Sequence, residues 1–567
     1  METLKGLAIA ACFAILSGWL AWLASAPSIA ITPDSVQYIS AAQSIAGGAG
    51  ISTRVTEVGD GGHQPLSSWP PVYPFVLAAG TQRLESGQRV VAMDWVRLVN
   101  VLAVILLLFP FAWLARVVVG GTESMLCLVW LAASRPTYLL ASFAWSETLF
   151  VLLSVSALAC TVRGLARDET EAHRVRWLLL AGTMAALAAL TRYLGVSLVL
   201  ALAITVLLRS EGEPSRRTLR RIACVTGPAL VSVTVWVGRN LVLTGRGFGS
   251  SPPAGEHAAS HALLDTLLTL GRDWILPAAL PTWLLFPGVV AATAAGLWLL
   301  WRSAVGFGPE TFEQHPLQLT AATALTQYLW IYLALLLASA STISLDPVNT
   351  RLLAPIYPCV ILLLAPLLRG MIEQLTPRLA GWALGALAVL FVFQVLGTAE
   401  YLVAPRESRQ LTAPYWRTVV WSNEEIEAAP QIRYLRRLPA ESVVLTNVWE
   451  MVTFTTGLPT KIWPERPSPE AMSRRLAGDY LLWDPAYRAY LPDPVELLGE
   501  DATRSLRLLG TWDGVKLYRI EPEGSVFTPS AYPSESGKAS GTDSDATRGS
   551  QIGMIPGDGP SAPNRSR

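Results

Sequence analysis

Apolar residues gather into eleven runs long enough to cross a bilayer, at about residues 6–24, 97–115, 122–140, 147–162, 177–191, 193–208, 222–243, 279–301, 317–340, 351–368 and 379–399. A helix needs about 20 such residues to span the hydrocarbon. In lipid each run must be helical, because unpaired backbone amides there cost several kcal/mol apiece. The stretch 177–208 is too long for one span. Thr191-Arg192-Tyr193 sets a charge and an interfacial aromatic at its middle, which predicts a hairpin of two helices. The first run ends in Ala24-Ser25-Ala26, which looks like a signal-peptide cleavage site. Its spanning length and Pro27 directly after the triplet predict a retained anchor instead.

Three polar stretches are too long to be simple connectors: residues 25–96, 244–278 and everything after Glu400. Long loops in a compact protein usually carry function. The last contains Val443-Val444-Leu445, Tyr480-Leu481-Leu482-Trp483 and two apolar runs separated by Asp513-Gly514, a strong hairpin signal. The expected organisation is a membrane domain over 1–399 with its first outer loop at 25–96, a small extracytoplasmic α/β domain over 400–523, and a disordered tail over 524–567. That tail is rich in Ser, Gly, Pro and Asp and too poor in apolar residues to offset its ordering entropy.

Orientation follows from the arginines, since short cytoplasmic loops carry the basic excess. With the amino terminus inside, the Arg-rich loops 163–176 and 209–221 are cytoplasmic, as are Arg116, Arg302, Arg369 and Arg378. An odd number of spans then places the carboxyl-terminal portion outside. Composition agrees with a polytopic α-helical membrane protein: 52% of residues are hydrophobic, 15% are charged and mean hydropathy is +0.40, against about a quarter charged in a soluble domain. A net charge of +1 gives no pull toward nucleic acid, so none is expected as a partner. The five cysteines lie in apolar runs at spacings that fit neither a disulfide framework nor zinc. Basic residues are overwhelmingly Arg and Ala is abundant, which points to a bacterial cytoplasmic membrane.

Asp34 in Thr32-Pro33-Asp34-Ser35 stands at a predicted helix start, with Tyr38 four residues on along the same face. It reads either as a carboxylate satisfying first-turn amides or as a chemical group. Glu147 in Ser146-Glu147-Thr148 opens the fourth span, where an ionised side chain needs a partner or water. The helix dipole alone would also favour it there. Arg192, Arg239 and Arg351 fall at outer span ends, where the positive-inside rule does not put them. They either snorkel or pair with the carboxylates, or they face a lipid phosphate. Trp69 and Tyr73 read as interfacial anchors beside a stiff proline segment. His257, His261 and Asp265 recur at intervals of four, an incomplete ligand set that reads as a solvated helix.

In order along the chain, Pro33-Asp34-Ser35 with Tyr38, Gly47-Gly48, Trp69-Pro70-Pro71-Val72-Tyr73-Pro74, Ser146-Glu147-Thr148-Leu149-Phe150, Leu190-Thr191-Arg192-Tyr193, Arg239-Asn240 and Arg351-Leu352-Leu353-Ala354-Pro355 together resemble the C-superfamily membrane glycosyltransferases. The nearest likeness is to bacterial proteins akin to protein O-mannosyltransferases and the lipid A aminoarabinose transferase. The resemblance implies sugar transfer from a polyprenyl-phosphate donor to a glycan, lipid or protein acceptor at the extracytoplasmic face. It carries a catalytic carboxylate onto Asp34 and a second acid onto Glu147. The acid that commonly follows the first aspartate is replaced here by Ser35. Tyr38, Arg192, Tyr193, Arg239, Asn240 and Arg351 are the expected substrate contacts. No cofactor is expected; a divalent cation is compatible with the pattern but not indicated by it. A transporter or flippase of an anionic or lipid-linked substrate, and a non-catalytic envelope protein that binds polysaccharide, are the competing readings.

Overall fold

The computed structural model describes residues 2–26, 28–56, 63–167, 169–210, 212–249, 258–270, 274, 316–343, 347–403, 420–421, 429–463, 480–485, 494, 506–512 and 514–520. Among these, seven helices are long and apolar enough to cross a membrane. They are α1 (Glu2–Ala24), α4 (Met93–Val119), α7 (Glu147–Gly164), α10 (Ser215–Thr244), α12 (Pro316–Thr342), the run Thr350–Glu373 and α15 (Pro377–Val403). Between them lie α2 (Pro33–Ala46), α3 (Val72–Ala78), α5 (Glu123–Ala132), α6 (Arg135–Ala141), α8 (Glu171–Ala189), α9 (Val196–Leu208) and α11 (Ala258–Leu268). The run Thr350–Glu373 divides into α13 (Thr350–Leu353), a short 3-10 turn and α14 (Tyr357–Glu373).

The chain is therefore a mostly helical, multi-span architecture, and the eleven apolar runs map onto it unevenly. The run 122–140 is a pair, α5 and α6, bent by 45°. Ser134 is extended there, and Pro136, which has no N–H to continue the ladder, starts the second helix. The predicted break at 191–193 is present: α8 stops at Ala189, Arg192 is extended, and a 3-10 turn leads into α9. The helix Tyr193–Leu208 is apolar but short of the usual spanning length. The predicted span 279–301 and the predicted disordered tail 524–567 lie outside the described residues.

The first long loop folds onto the carboxyl-terminal segment. Strands β1 (Ala30–Ile31), β2 (Ser52–Thr53), β3 (Val55–Thr56), β4 (Gln64–Pro65), β5 (Thr81–Arg83) and β6 (Arg89–Val91) lie in that loop. The later segment supplies β7 (Val420–Trp421), β8 (Val444–Thr446), β9 (Thr460–Ile462), β10 (Tyr480–Trp483), β11 (Leu506–Trp512) and β12 (Val515–Ile520). A six-stranded sheet runs in the order β11-β12-β10-β8-β9-β3, so its last strand comes from the first loop. β11 and β12 pair antiparallel across 513–514, where Gly514 takes φ +82°, a conformation that glycine adopts without a Cβ clash. Helices α16 (Pro430–Leu435) and α17 (Trp449–Thr456) accompany the sheet. Ile432, Leu435, Val444, Val452 and Leu482 form its buried core.

Gln88 and Arg54 are among the side chains that fasten the loop to this segment. Gln88 donates to the carbonyls of Leu435 and Leu438 at 3.2 and 2.8 Å. Arg54 donates to the carbonyls of Ala440 and Gly457 and pairs with Glu441 at 3.3 Å.

Candidate active site

Backbone pairing brings the two candidate carboxylates together. The amide of Ala30 donates to Ser142 O at 2.9 Å, and the amide of Ala144 donates to Ala30 O at 2.8 Å. Asn100 holds the second strand of this pair by donating to Phe143 O at 2.7 Å. Asp34 lies four residues after Ala30 and Glu147 three after Ala144, so the pairing places both at the same end of the helices.

Helix α2 starts as the Thr-Pro-Asp-Ser sequence predicts. Thr32 is extended, Pro33 takes a first-turn position where no N–H is needed, and the Thr32 amide donates to Ser35 Oγ at 3.1 Å. Ser35 is thus a buried capping residue. The hydroxyl of Thr32 also accepts from Trp145 Nε1 at 2.9 Å, which ties α2 to the segment ahead of α7.

Arg351 joins the two acids. Asn349 caps its short helix by accepting from the Arg351 amide at 3.0 Å, and Tyr332 donates to Leu352 O at 2.6 Å from α12. With its backbone held in this way, the guanidinium bonds Glu147 Oε1 through Nε and Asp34 Oδ2 through Nη2, the latter at 2.5 Å. It also sits over the Trp145 ring, 4.5 Å from the centroid, and that ring is stacked on Phe143. Arg192 approaches from the other side, with Nη1 2.7 Å from the same Glu147 oxygen and 3.4 Å from Ser146 Oγ. Glu147 is fully buried, whereas the Asp34 side chain is 31% exposed. Two guanidiniums balance two carboxylates, which makes burial of Glu147 and its arginines tolerable.

Tyr38 closes the cluster. Its hydroxyl shares a 3.1 Å hydrogen bond with Ser146 Oγ, and its ring meets Tyr73 edge-on at 5.2 Å and Trp69 at 6.4 Å. Burial pushes the Tyr38 hydroxyl well above the ordinary tyrosine value, with Arg192 partly opposing that shift, so it remains a neutral hydrogen-bonding group. Burial raises Tyr73 likewise, and the buried Tyr73 hydroxyl has no hydrogen-bond partner among the described residues.

The other expected contacts form a second cluster. Tyr193 donates to Ser67 O at 2.6 Å and accepts from Trp236 Nε1 at 2.9 Å. Arg239 donates to Leu66 O at 2.7 Å, Ile51 O at 2.5 Å and Asn240 Oδ1 at 2.8 Å, while Asn240 donates to Gly247 O at 3.0 Å. Both α10 residues therefore grip backbone, Arg239 that of the first loop. Trp145, Ser146 and Tyr332 were not singled out as site residues from sequence. Only adjacency to Glu147 could have flagged the first two, and nothing in the local pattern marks Tyr332. His261 and Asp265 lie on α11, His257 lies outside the described residues, and among the described residues no group of three metal-binding side chains forms.

A profile of the dolichyl-phosphate-mannose-protein mannosyltransferase family matches residues 68–237. A search of curated proteins finds no match. Among solved structures, ArnT from Cupriavidus metallidurans is similar in its apo state with TM-score 0.57 and in its complex with undecaprenyl phosphate with TM-score 0.54. Each is 13% identical and covers 90% of this chain and 97% of its own. The archaeal oligosaccharyltransferase AglB from Archaeoglobus fulgidus, in complex with an inhibitory peptide and a dolichol-phosphate, has TM-score 0.53 at 11% identity, covering 85% of this chain and 70% of its own. The likeness to these solved structures is one of fold.

Proposed function

We propose that this chain is an integral membrane glycosyltransferase that moves a hexosyl or pentosyl group from a polyprenyl-phosphate donor to an acceptor on the extracytoplasmic face of the cytoplasmic membrane, with inversion at the sugar carbon. The observation that supports it most is the buried Asp34-Arg351-Glu147-Arg192 cluster, of which Asp34 is the carboxylate that reaches the surface. A small apolar crevice is lined by Leu107, Leu140, Thr148, Val151, Ala354 and Tyr357, with Thr148 next in sequence to Glu147.

In the proposed step the acceptor oxygen attacks the anomeric carbon and its proton passes to Asp34. The bond from that carbon to the phosphate oxygen breaks, and its electron pair leaves with the polyprenyl phosphate. Arg351 and Arg192 stabilise the charge that develops there, as preorganised donors in a dry site do well. Glu147 acts as the supporting carboxylate that holds both guanidiniums. Tyr193 and Arg239 serve the substrate through the first loop, which they hold, and Asn240 through its bonds with Arg239 and Gly247. The acceptor is a glycan, lipid or protein hydroxyl, and the protein's remaining partners are membrane lipids.

This reading takes eleven spans with a cytoplasmic amino terminus, so that the first loop and the 400–523 segment share the outer side. It assigns charge stabilisation to arginines with no metal cofactor. Asp34→Asn should lower transfer from a polyprenyl-phosphate sugar by about 10²–10⁴-fold, the usual range for a general base, with the folded protein recovered in native yield. Full activity of that variant would refute the mechanism.

A further inference from the structure

The four charged groups of the cluster are not equally committed. Glu147 Oε1 accepts from both arginines and is wholly inside the protein, so neither bond can be exchanged for water. Among the described residues Asp34 pairs with the Nη2 of Arg351, and nearly a third of its side chain is exposed. Arg351 is meanwhile pinned at its inner edge by Glu147, by the Trp145 ring and by its capped helix. The contact between Arg351 and Asp34 is therefore the weak link, because the carboxylate released from it can be rehydrated at once.

The guanidinium holds the Asp34 carboxylate through Oδ2 at 2.5 Å, and so fixes where its other oxygen can meet an acceptor hydroxyl. Yet the same guanidinium edge is what a phosphate would seek, because arginine's planar fork matches phosphate oxygens. One guanidinium edge faces two claimants. We propose that Arg351 couples the two substrates: without donor it withholds Asp34, and a lipid phosphate that takes the Nη2 edge releases Asp34 to receive the acceptor's proton. The inference rests on the glycosyltransferase reading and adds an order to it, donor before acceptor. Only a ligand with a differential interaction can shift such an equilibrium, and the phosphate has one through the bond it displaces.

The test needs neither the sugar nor the acceptor. Purified full-length protein in detergent is titrated with farnesyl phosphate while its thermal midpoint and its infrared difference spectrum are recorded. The expected result is a rise in the midpoint together with a shifted carboxylate stretching band, and loss of that band in Asp34→Asn. If that variant does not fold, aspartate labelling separates the band from those of glutamates, and the charge-conserving Asp34→Glu removes it from the aspartate-labelled set. A purely structural Arg351 would leave the Asp34 band where it is. A raised midpoint with an unmoved Asp34 band overturns the coupling and leaves the proposed function standing. No rise in the midpoint at saturating farnesyl phosphate removes the lipid-phosphate reading, and the coupling falls with it.

Discussion

The cluster makes a quantitative claim about Glu147 that can be tested without an activity assay. Glu147→Gln keeps the shape of the side chain but removes the charge that Arg351 and Arg192 share. It also turns an acceptor-only group into one with donors of its own, facing donors. Removing one member of a buried ion pair costs about 3–5 kcal/mol, because the remaining charge stays buried without compensation. The cost should fall unevenly on the two arginines. Arg351 keeps Asp34 at 2.5 Å, whereas among the described residues Glu147 is the one carboxylate paired with Arg192, whose side chain is 14% exposed.

A second substitution separates the contributions. Adding Arg192→Gln to Glu147→Gln removes the stranded charge and should recover about 1–3 kcal/mol, within the range of coupling between contacting residues. Adding Arg351→Gln instead should recover less, since it strands Asp34 in turn. Chemical unfolding in mixed detergent micelles, with native protein and each single variant measured in parallel, gives the coupling free energies. If Glu147→Gln lay within about 0.5 kcal/mol of native, as an exposed substitution would, or if the double variant with Arg192→Gln were strictly additive, the buried charge cluster would be refuted.

Four further outcomes are expected. Arg239→Gln removes bonds to Ile51 O and Leu66 O; at about 1.5–3 kcal/mol for a charged hydrogen bond, it should speed amide exchange across 51–67, and unchanged exchange there would contradict the clamp. His63 accepts from Arg54 Nε at 3.2 Å, and burial together with Arg54 lowers its pKa from 6.5, with Glu441 opposing. Its neutral form is therefore the one the fold favours, so its contribution is present above pH 6.5 and is lost as pH falls through the lowered value; loop protection should decline on acidification in native protein and not in His63→Gln. Transfer activity should survive chelation of divalent cations, and loss that added metal restores would overturn the all-arginine assignment. A periplasm-active reporter fused after Val403 should be active; silence there would overturn the odd span count.

Helix positions were legible in the sequence because apolar length is a one-dimensional property. Even the break at Arg192 could be read, since a charge and an aromatic interrupt an apolar run there. The sheet was legible only in part. The runs flanking Asp513-Gly514 announce a hairpin, but nothing at Val55-Thr56 says that two residues of the first loop will add a strand beside β9, more than four hundred residues away in the chain. Such a short strand carries almost no periodicity, and its place is set by a partner far along the sequence.

The site shows the same limit more sharply. Arg192, Arg239 and Arg351 look alike in sequence, each an arginine at the end of an apolar run. Their fates differ because of what the fold puts opposite them: a buried carboxylate for Arg192, two carboxylates for Arg351, and backbone carbonyls for Arg239. A guanidinium is satisfied equally well by either kind of acceptor, so residue type and spacing cannot separate a charge-stabilising arginine from a loop clamp. The distinction resides in the pairing of Ala30 with residues 142–144, which brings Asp34 and Glu147 within reach of one guanidinium. The backbone register of the first loop, more than any single side chain, therefore decides where the charges converge. Substitutions that disturb that register, such as Asn100→Leu at its hydrogen bond to Phe143 O, should disable the site while leaving all four charged residues in place.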